Sequence, residues 1–298
     1  LTKPATLPAS AASRPSEPTA GHATLIRVFV DPAAGPHGGN PVPLVLDARG
    51  MTQAAMRDLA GRYGYESTFV LPADDPARDR WRLRFFVPAH EMEMCGHATV
   101  GALWAMRQWG RWTEPETRVQ TLSGSVDAFW DDAGGCAWIS QPGVTVQSVP
   151  EPHLAAIARV LRIDPAMPGL HAVNASTTRV KTLVRLPDVA ILDALAPDFG
   201  AMRGLCAALD STGLYPYVLN GDHACARQFP KESGYPEDAA TGIAAAALWG
   251  YLHETDQIPA GPYTVRQGVA MGSPSAIRVR AREDAPGCWI SGEVRWHP

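Results

Sequence analysis

A chain of 298 residues has room for one large domain or two of ordinary size, and 46% hydrophobic content supplies a substantial core. Its 26 basic against 30 acidic residues give a net charge of −4 with no Lys/Arg block, which excludes the electrostatic footprint of a nucleic-acid or anionic-membrane binder. No apolar run reaches the ~18 residues of a membrane span. The five cysteines (Cys95, Cys136, Cys206, Cys225, Cys288) form no CxxC pair, which argues against a disulfide scaffold and for a reducing, cytoplasmic setting.

Residues 1–22 are rich in Pro, Ala, Ser and Thr, lack the pattern of a secretory signal, and read as a flexible extension. Runs 25–30 and 42–46 are β-rich and flank a Gly/Pro loop, as sheet neighbours would. Residues 52–63 have helical spacing, with Thr52 as the cap. Strands are predicted at 67–71 and 82–86, then a helix from Gly96, then strands at 117–122, 125–130 and 136–141. The Pro-rich run 142–152 reads as a linker. Beyond it come a helix at 153–161, strands at 172–173 and 181–185, and a helical region at 195–210. Strands at 214–220 and 224–229 lead to a second helix from Gly242, and strands at 263–267, 276–280 and 288–294 close the chain.

The helices at Gly96 and Gly242 are unusual. Met94-Cys95-Gly96-His97-Ala98-Thr99-Val100-Gly101-Ala102-Leu103-Trp104 carries no charge until Arg107, so the helix is buried all round. Glu237-Asp238-Ala239-Ala240-Thr241-Gly242-Ile243 repeats the design, and its helix also ends in Leu-Trp. Each follows a strand that ends at a proline, Pro88 or Pro230. Two such units, one in each half, suggest a duplication with a site between the helix N-termini, where free N–H groups favour anions.

The polar residues here admit bland and functional readings. Glu66 is on a strand's solvent face or aimed into a pocket, and position alone favours solvent. His97 caps or packs, or is a neutral imidazole that carries a proton. Asp238 suits an ordinary N-cap, with Glu237 beside it facing solvent. His90, Glu91, Glu93, Cys95 and His97 are dense in metal-ligand types but match no zinc-hydrolase or deaminase spacing, so no metal is expected. Without a P-loop or GxGxxG, no nucleotide cofactor is expected either.

Gly39-Asn40-Pro41, Tyr65-Glu66-Ser67-Thr68-Phe69-Val70 and the two helix starts, in that order, resemble the PhzF family of phenazine-biosynthesis-like proteins over about residues 25–295. The resemblance implies an α+β fold of two similar diaminopimelate epimerase-like domains, each a curved mixed sheet around a central helix, with the active site in the interdomain cleft. The expected division is 23–146 and 147–275, with the last strands (276–298) returning to the first domain.

It also implies a cofactor-independent isomerase in which Glu66 moves a carbon-bound proton, assisted by His97 and Asp238. Burial would raise the Glu66 pKa toward the working pH. Asn40, Gly96, Thr241, Gly242, Ile243 and Gly268 would bind a small carboxylate-bearing substrate, and the expected assembly is a homodimer. Related epimerases oppose two thiols, but here Cys95 aligns with Thr241, so Cys95 reads as a buried small residue rather than a nucleophile. Tyr65, Ile243 and Ser273 depart from the family pattern at positions expected to border the site. A lyase or hydrolase with the same acid/base set, or a non-catalytic binder, are the alternatives.

Overall fold

The computed structural model describes residues 15–35, 37–259 and 261–297. Its first strands are β1 (Thr24–Val30), β2 (Asn40–Val45), β3 (Ser67–Pro72), β4 (Trp81–Phe86), β5 (Glu91–Met92), β6 (Glu116–Thr121), β7 (Gly124–Asp131) and β8 (Cys136–Gln141). Helix α1 (Gln53–Tyr63) follows β2, and α2 (Gly96–Gln108) follows β5. Hydrogen bonding runs β1-β2-β3-β4-β6-β7-β8, parallel at β2–β3 and β4–β6 and antiparallel elsewhere.

Next come β9 (Thr145–Ser148), α3 (Glu151–Leu161), β10 (His171–Ser176), β11 (Lys181–Arg185), α4 (Val189–Ala194), α5 (Phe199–Ala208), β12 (Gly213–Asn220), β13 (His223–Ala226) and β14 (Phe229–Pro230). Then follow α6 (Gly242–Glu254), β15 (Tyr263–Gln267), β16 (Ser275–Ala281), β17 (Cys288–Ser291) and β18 (Glu293–Trp296). Here the order is β9-β10-β11-β12-β13-β15-β16-β17, parallel at β11–β12 and β13–β15. Strand β17 pairs with β8, and β18 with β1, so one mixed hydrogen-bonded network includes both runs.

The uncharged helices sit where their composition requires. Helix α2 is buried from Gly96 through Met106 and packs on β1, β2, β3 and β8. Helix α6 is buried from Gly242 through Leu252 and packs on β10, β11, β16 and β17. Their first turns meet: a Cβ on Gly96 would lie 3.4 Å from Gly242 Cα and 3.0 Å from Ile290 Cδ1. A Cβ on Gly242 would approach Ile290 Cδ1 to 2.9 Å, so glycine at both positions allows this approach. Phe29, at φ 61°, sits in a β1 bulge against Gly242, a strained conformation for an aromatic residue.

Most predicted elements match, including the Thr52 cap, whose hydroxyl accepts from Ala55 N. The differences are local. The predicted linker at 142–152 contains β9, an exposed strand paired with β10; its flanking prolines mask it in sequence. The helical region at 195–210 starts only at Phe199, because Asp198 caps α5 by accepting from Gly200 N and Ala201 N. The six-residue α4 before it is too short to show a period. The strand predicted at 288–294 breaks at Gly292.

Of the extension at 1–22, residues 1–14 lie outside the described residues. The rest touches the body: Trp109 Nε1 donates to Pro15 O at 3.2 Å, Arg111 pairs with Glu17, and Gly21 N donates to Asp47 O. Among the described residues no helix is long and apolar enough to cross a membrane.

Candidate active site

The N-termini of α2 and α6 open onto one cavity, lined by Cys95, Gly96 and His97 on one side and Thr241, Gly242 and Ile243 on the other. The N-cap residues are Cys95 and Thr241, and neither side chain caps its helix. Free N–H groups at these helix starts favour an anion, although Ala244 N in the first turn of α6 already donates to Thr241 O.

Glu66 reaches the cavity because α1 ends at Gly64 in the left-handed conformation (φ 72°), and the chain turns there before β3. Of the two readings of Glu66 the structure takes the pocket one: its side chain is 13% exposed and enclosed by donors. Tyr235 Oη donates to Oε1 at 2.7 Å, and Cys95 Sγ donates to Oε2 at 2.9 Å. His97 Nε2 lies 3.4 Å from Oε2, and His97 Nδ1 lies 3.3 Å from Cys95 Sγ.

These contacts correct the pKa expectation. Burial pushes the Glu66 carboxyl up, but His97 and the Cys95 and Tyr235 hydrogen bonds outweigh it and hold the group below its ordinary value. Glu66 is thus an ionised acceptor at neutral pH. The Cys95 thiol is pushed well up by burial and by the Glu66 charge, so it is a hydrogen-bond donor rather than a thiolate. It is buried, as read from sequence, yet part of the proton-holding cluster. Glu66, Cys95 and His97 also place three ligand-type atoms within 4.8 Å of one another. Elsewhere in the ligand-rich run, Glu91 is taken by a two-pronged ion pair with Arg84 at 2.6 Å.

Asp238 also lines the cavity, but it does not cap α6; Thr241 holds that position. Both Asp238 oxygens are held: Oδ1 accepts from Asn40 Nδ2 at 2.6 Å and Oδ2 from Thr241 Oγ1 at 2.5 Å. Gln267 anchors the turn, donating to Asp238 O at 2.7 Å while its Oε1 accepts from Thr241 N. Burial and then the Glu66 charge push the Asp238 carboxyl up to about 6, against the lowering effect of His97, Thr241 and Asn40.

This shift makes a prediction. The folded protein holds the Asp238 proton up to about pH 6, whereas an ordinary aspartate releases it near 3.8. Its stabilising contribution is present below 3.8 and is lost as pH rises through 6. Asp238→Asn removes that loss, so the variant's Tm relative to the parent should rise between pH 4 and pH 7. A Tm difference that is the same at both pH values would show that the site does not strain the carboxylate.

The other predicted residues divide. Gly96, Thr241, Gly242 and Ile243 line the cavity. Asn40 and Gly268 do not: Asn40 acts through Asp238, and Gly268, at φ 77°, turns the chain against Ala239 O and Ser273 O. Of the three departures from the family pattern only Ile243 borders the cavity. Tyr65 is 42% exposed, and Ser273 Oγ donates to Gly39 O. Glu237 is not solvent-facing; it forms a two-pronged ion pair with Arg227, each side chain 9% exposed. Sequence reasoning missed Arg179, Lys181, Gln228 and Tyr235, which also line the cavity. They carry no local motif; only a lone lysine opening the apolar β11 run hinted at one of them.

Known proteins resemble the chain along most of its length. The family model for phenazine biosynthesis-like protein (PhzC-PhzF) matches residues 27–293. An uncharacterized isomerase of Deinococcus radiodurans is 32% identical over 256 residues, covering 82% of each chain. A trans-2,3-dihydro-3-hydroxyanthranilate isomerase of Pseudomonas aeruginosa is 31% identical over 257 residues, covering 84% of this chain and 87% of that protein. The crystal structure of a PhzF-family phenazine biosynthesis protein from Bacillus anthracis shares the fold, with a TM-score of 0.79, 22% identity, and coverage of 93% of this chain and 96% of that one.

Proposed function

This chain belongs to the phenazine biosynthesis-like (PhzC-PhzF) family, and from that membership we propose an isomerase that moves a carbon-bound proton by general acid/base catalysis without a cofactor. One observation carries the reading. Two carboxyl groups face one buried cavity with pKa values displaced in opposite directions, Glu66 down and Asp238 up to about 6. Opposed displacement of this kind separates an acid from a base.

In this reading the ionised Glu66 takes the proton from a substrate carbon, and the proton returns at another carbon with His97 and Asp238 assisting. The N–H groups at Gly96 and Gly242 stabilise the enolate that develops between the two steps. The proposed halves are 23–146 with 276–298, and 147–275, with the cavity as the cleft between them; α2 packs on strands of the first half, whereas α6 packs on β10 and β11 of the second and also on β16 and β17.

The test is solvent exchange. A panel of small unsaturated and 3-hydroxy carboxylic acids is incubated with the enzyme in D₂O and followed by NMR. Deuterium entering a carbon position of the recovered acid or its isomer supports the reading. Tight binding with no exchange overturns it in favour of a binding protein, and release of a fragment points to a lyase or hydrolase.

Ile243 bears on specificity. It is 5% exposed, lines the cavity, and offers no hydrogen bond where the family resemblance implies a serine. A site lacking a needed donor cannot recover that bond by packing. The parent enzyme should therefore fail to isomerise trans-2,3-dihydro-3-hydroxyanthranilate efficiently. Ile243→Ser should gain up to about tenfold, the value of one hydrogen bond. Efficient turnover by the parent enzyme would rule out this role for Ile243.

A further inference from the structure

Lys181 opens β11 and lines the cavity, 5% exposed. Among the described residues no carboxylate lies within 4.0 Å of its ammonium, and it has no hydrogen-bond partner. Asp238 and Glu66 favour its charge only from beyond ion-pair distance, and a buried cation without a direct partner is costly to keep. Burial, followed by the charge of Arg179, lowers the Lys181 pKa to about 8, so it stays protonated at neutral pH. Arg179, two residues earlier, lines the same wall with its Nη1 3.6 Å from Met92 Sδ, and it too has no ion pair among the described residues.

The wall between them is fixed. Thr212 N and Oγ1 both donate to Val180 O, at 2.9 and 2.7 Å, which pins the residue between the two cations. Gln228 completes the group. It is 1% exposed and lines the cavity, and neither Oε1 nor Nε2 has a partner. Room for its amide comes from Gly213, where a Cβ would lie 2.4 Å from Nε2. A buried amide with both ends unsatisfied is rare unless a ligand completes it.

Arg179 and Lys181 act on the catalytic carboxylates only at a distance, with no ion pair to either. The Glu66 oxygens are taken by Tyr235, Cys95 and His97, and those of Asp238 by Asn40 and Thr241. Donors and positive charge are left over on one wall of the cavity. The helix N-termini already supply a second place for an anion.

We propose that Arg179, Lys181 and Gln228 form a carboxylate subsite, so that the substrate is a small dicarboxylic acid. One carboxylate would sit at the helix N-termini beside the exchanging carbon, and the other against Lys181. This rests on the isomerase reading above and adds the substrate class to it.

Calorimetric titration of matched pairs tests it: succinate against butyrate, and glutarate against valerate. The diacid of a pair should bind at least tenfold more tightly to the parent protein. Lys181→Met and Arg179→Met should each erase most of that preference, while Lys181→Arg and Glu66→Gln should keep it. If Lys181→Met does not fold, Arg179→Met and Lys181→Arg still decide the question. Equal or undetectable binding of both acid classes overturns the subsite, as does a preference that survives Arg179→Met and any folded Lys181→Met. The isomerase reading fails separately: it would fall if the diacid preference were intact and no bound acid exchanged deuterium, whereas exchange into monoacids with no diacid preference would remove only the subsite.

Discussion

Glu66→Gln should lower carbon–proton exchange by at least ~10²-fold, the lower end for loss of a general base. The substitution keeps the shape, and the amide oxygen can still accept from Cys95 or Tyr235, whose hydrogen bonds to Glu66 are 2.9 and 2.7 Å long. What is lost is the ability to accept and return a proton. Ligand binding should survive, because the helix N-termini and the Lys181 wall are untouched. The pH profile gives a second readout. Glu66 is held below its ordinary 4.5 by His97 and its two donors, so its ionisation should limit exchange only in more acidic solution. Exchange in Glu66→Gln within a few-fold of the parent rate would remove Glu66 from the chemistry.

Arg227→Met should give the largest loss of stability. The guanidinium holds Glu237 at 2.8 and 2.7 Å and donates through Nη1 to the carbonyls of Leu192, Asp193 and Leu195, at 3.0, 3.1 and 2.9 Å. Those carbonyls close the C-terminus of α4, where a cation is favoured. Removing it leaves Glu237 buried and unpaired, a loss of about 3–5 kcal/mol. At this chain length that lowers Tm by roughly 10 °C. The effect should reach the site, because Gln228 and Asp238, next to Arg227 and Glu237, pair across the same bridge. Arg227→Met with Glu237→Gln should recover part of the loss by removing the stranded charge. A Tm within two degrees of the parent for Arg227→Met alone would show that the pair carries little of the fold.

Glu237 shows how a local reading fails. A glutamate beside an aspartate in a polar turn looks solvated, and its partner lies ten residues away at the start of another segment. Only the bridge between Gln228 and Asp238 brings the two together. The bland cap reading of Asp238 fails for a related reason: Asp is a preferred N-cap, but Ala239 and Ala240 carry the chain on to Thr241 before the helix begins, which leaves Asp238 at the cavity.

The sequence by itself determined the elements with strong local patterns: the alternating strands, the Thr52-capped helix, and the two uncharged helices that can only be core. Glu66, His97 and Asp238 were singled out by the resemblance to the PhzF family that the order of these motifs carries, since local position alone favoured solvent for Glu66 and a cap for Asp238. The tertiary structure decided everything that depends on distant segments sharing one cavity. The direction of the Glu66 pKa shift follows from His97 first and then from the Cys95 and Tyr235 hydrogen bonds, the last from a residue 169 positions away. The unpaired cations of the β11 wall became visible only once β11, Thr212 and Gln228 were brought to the helix N-termini. Chain order contains no term for desolvation or for charge across a fold; both arise when packing excludes water and sets which groups remain within reach.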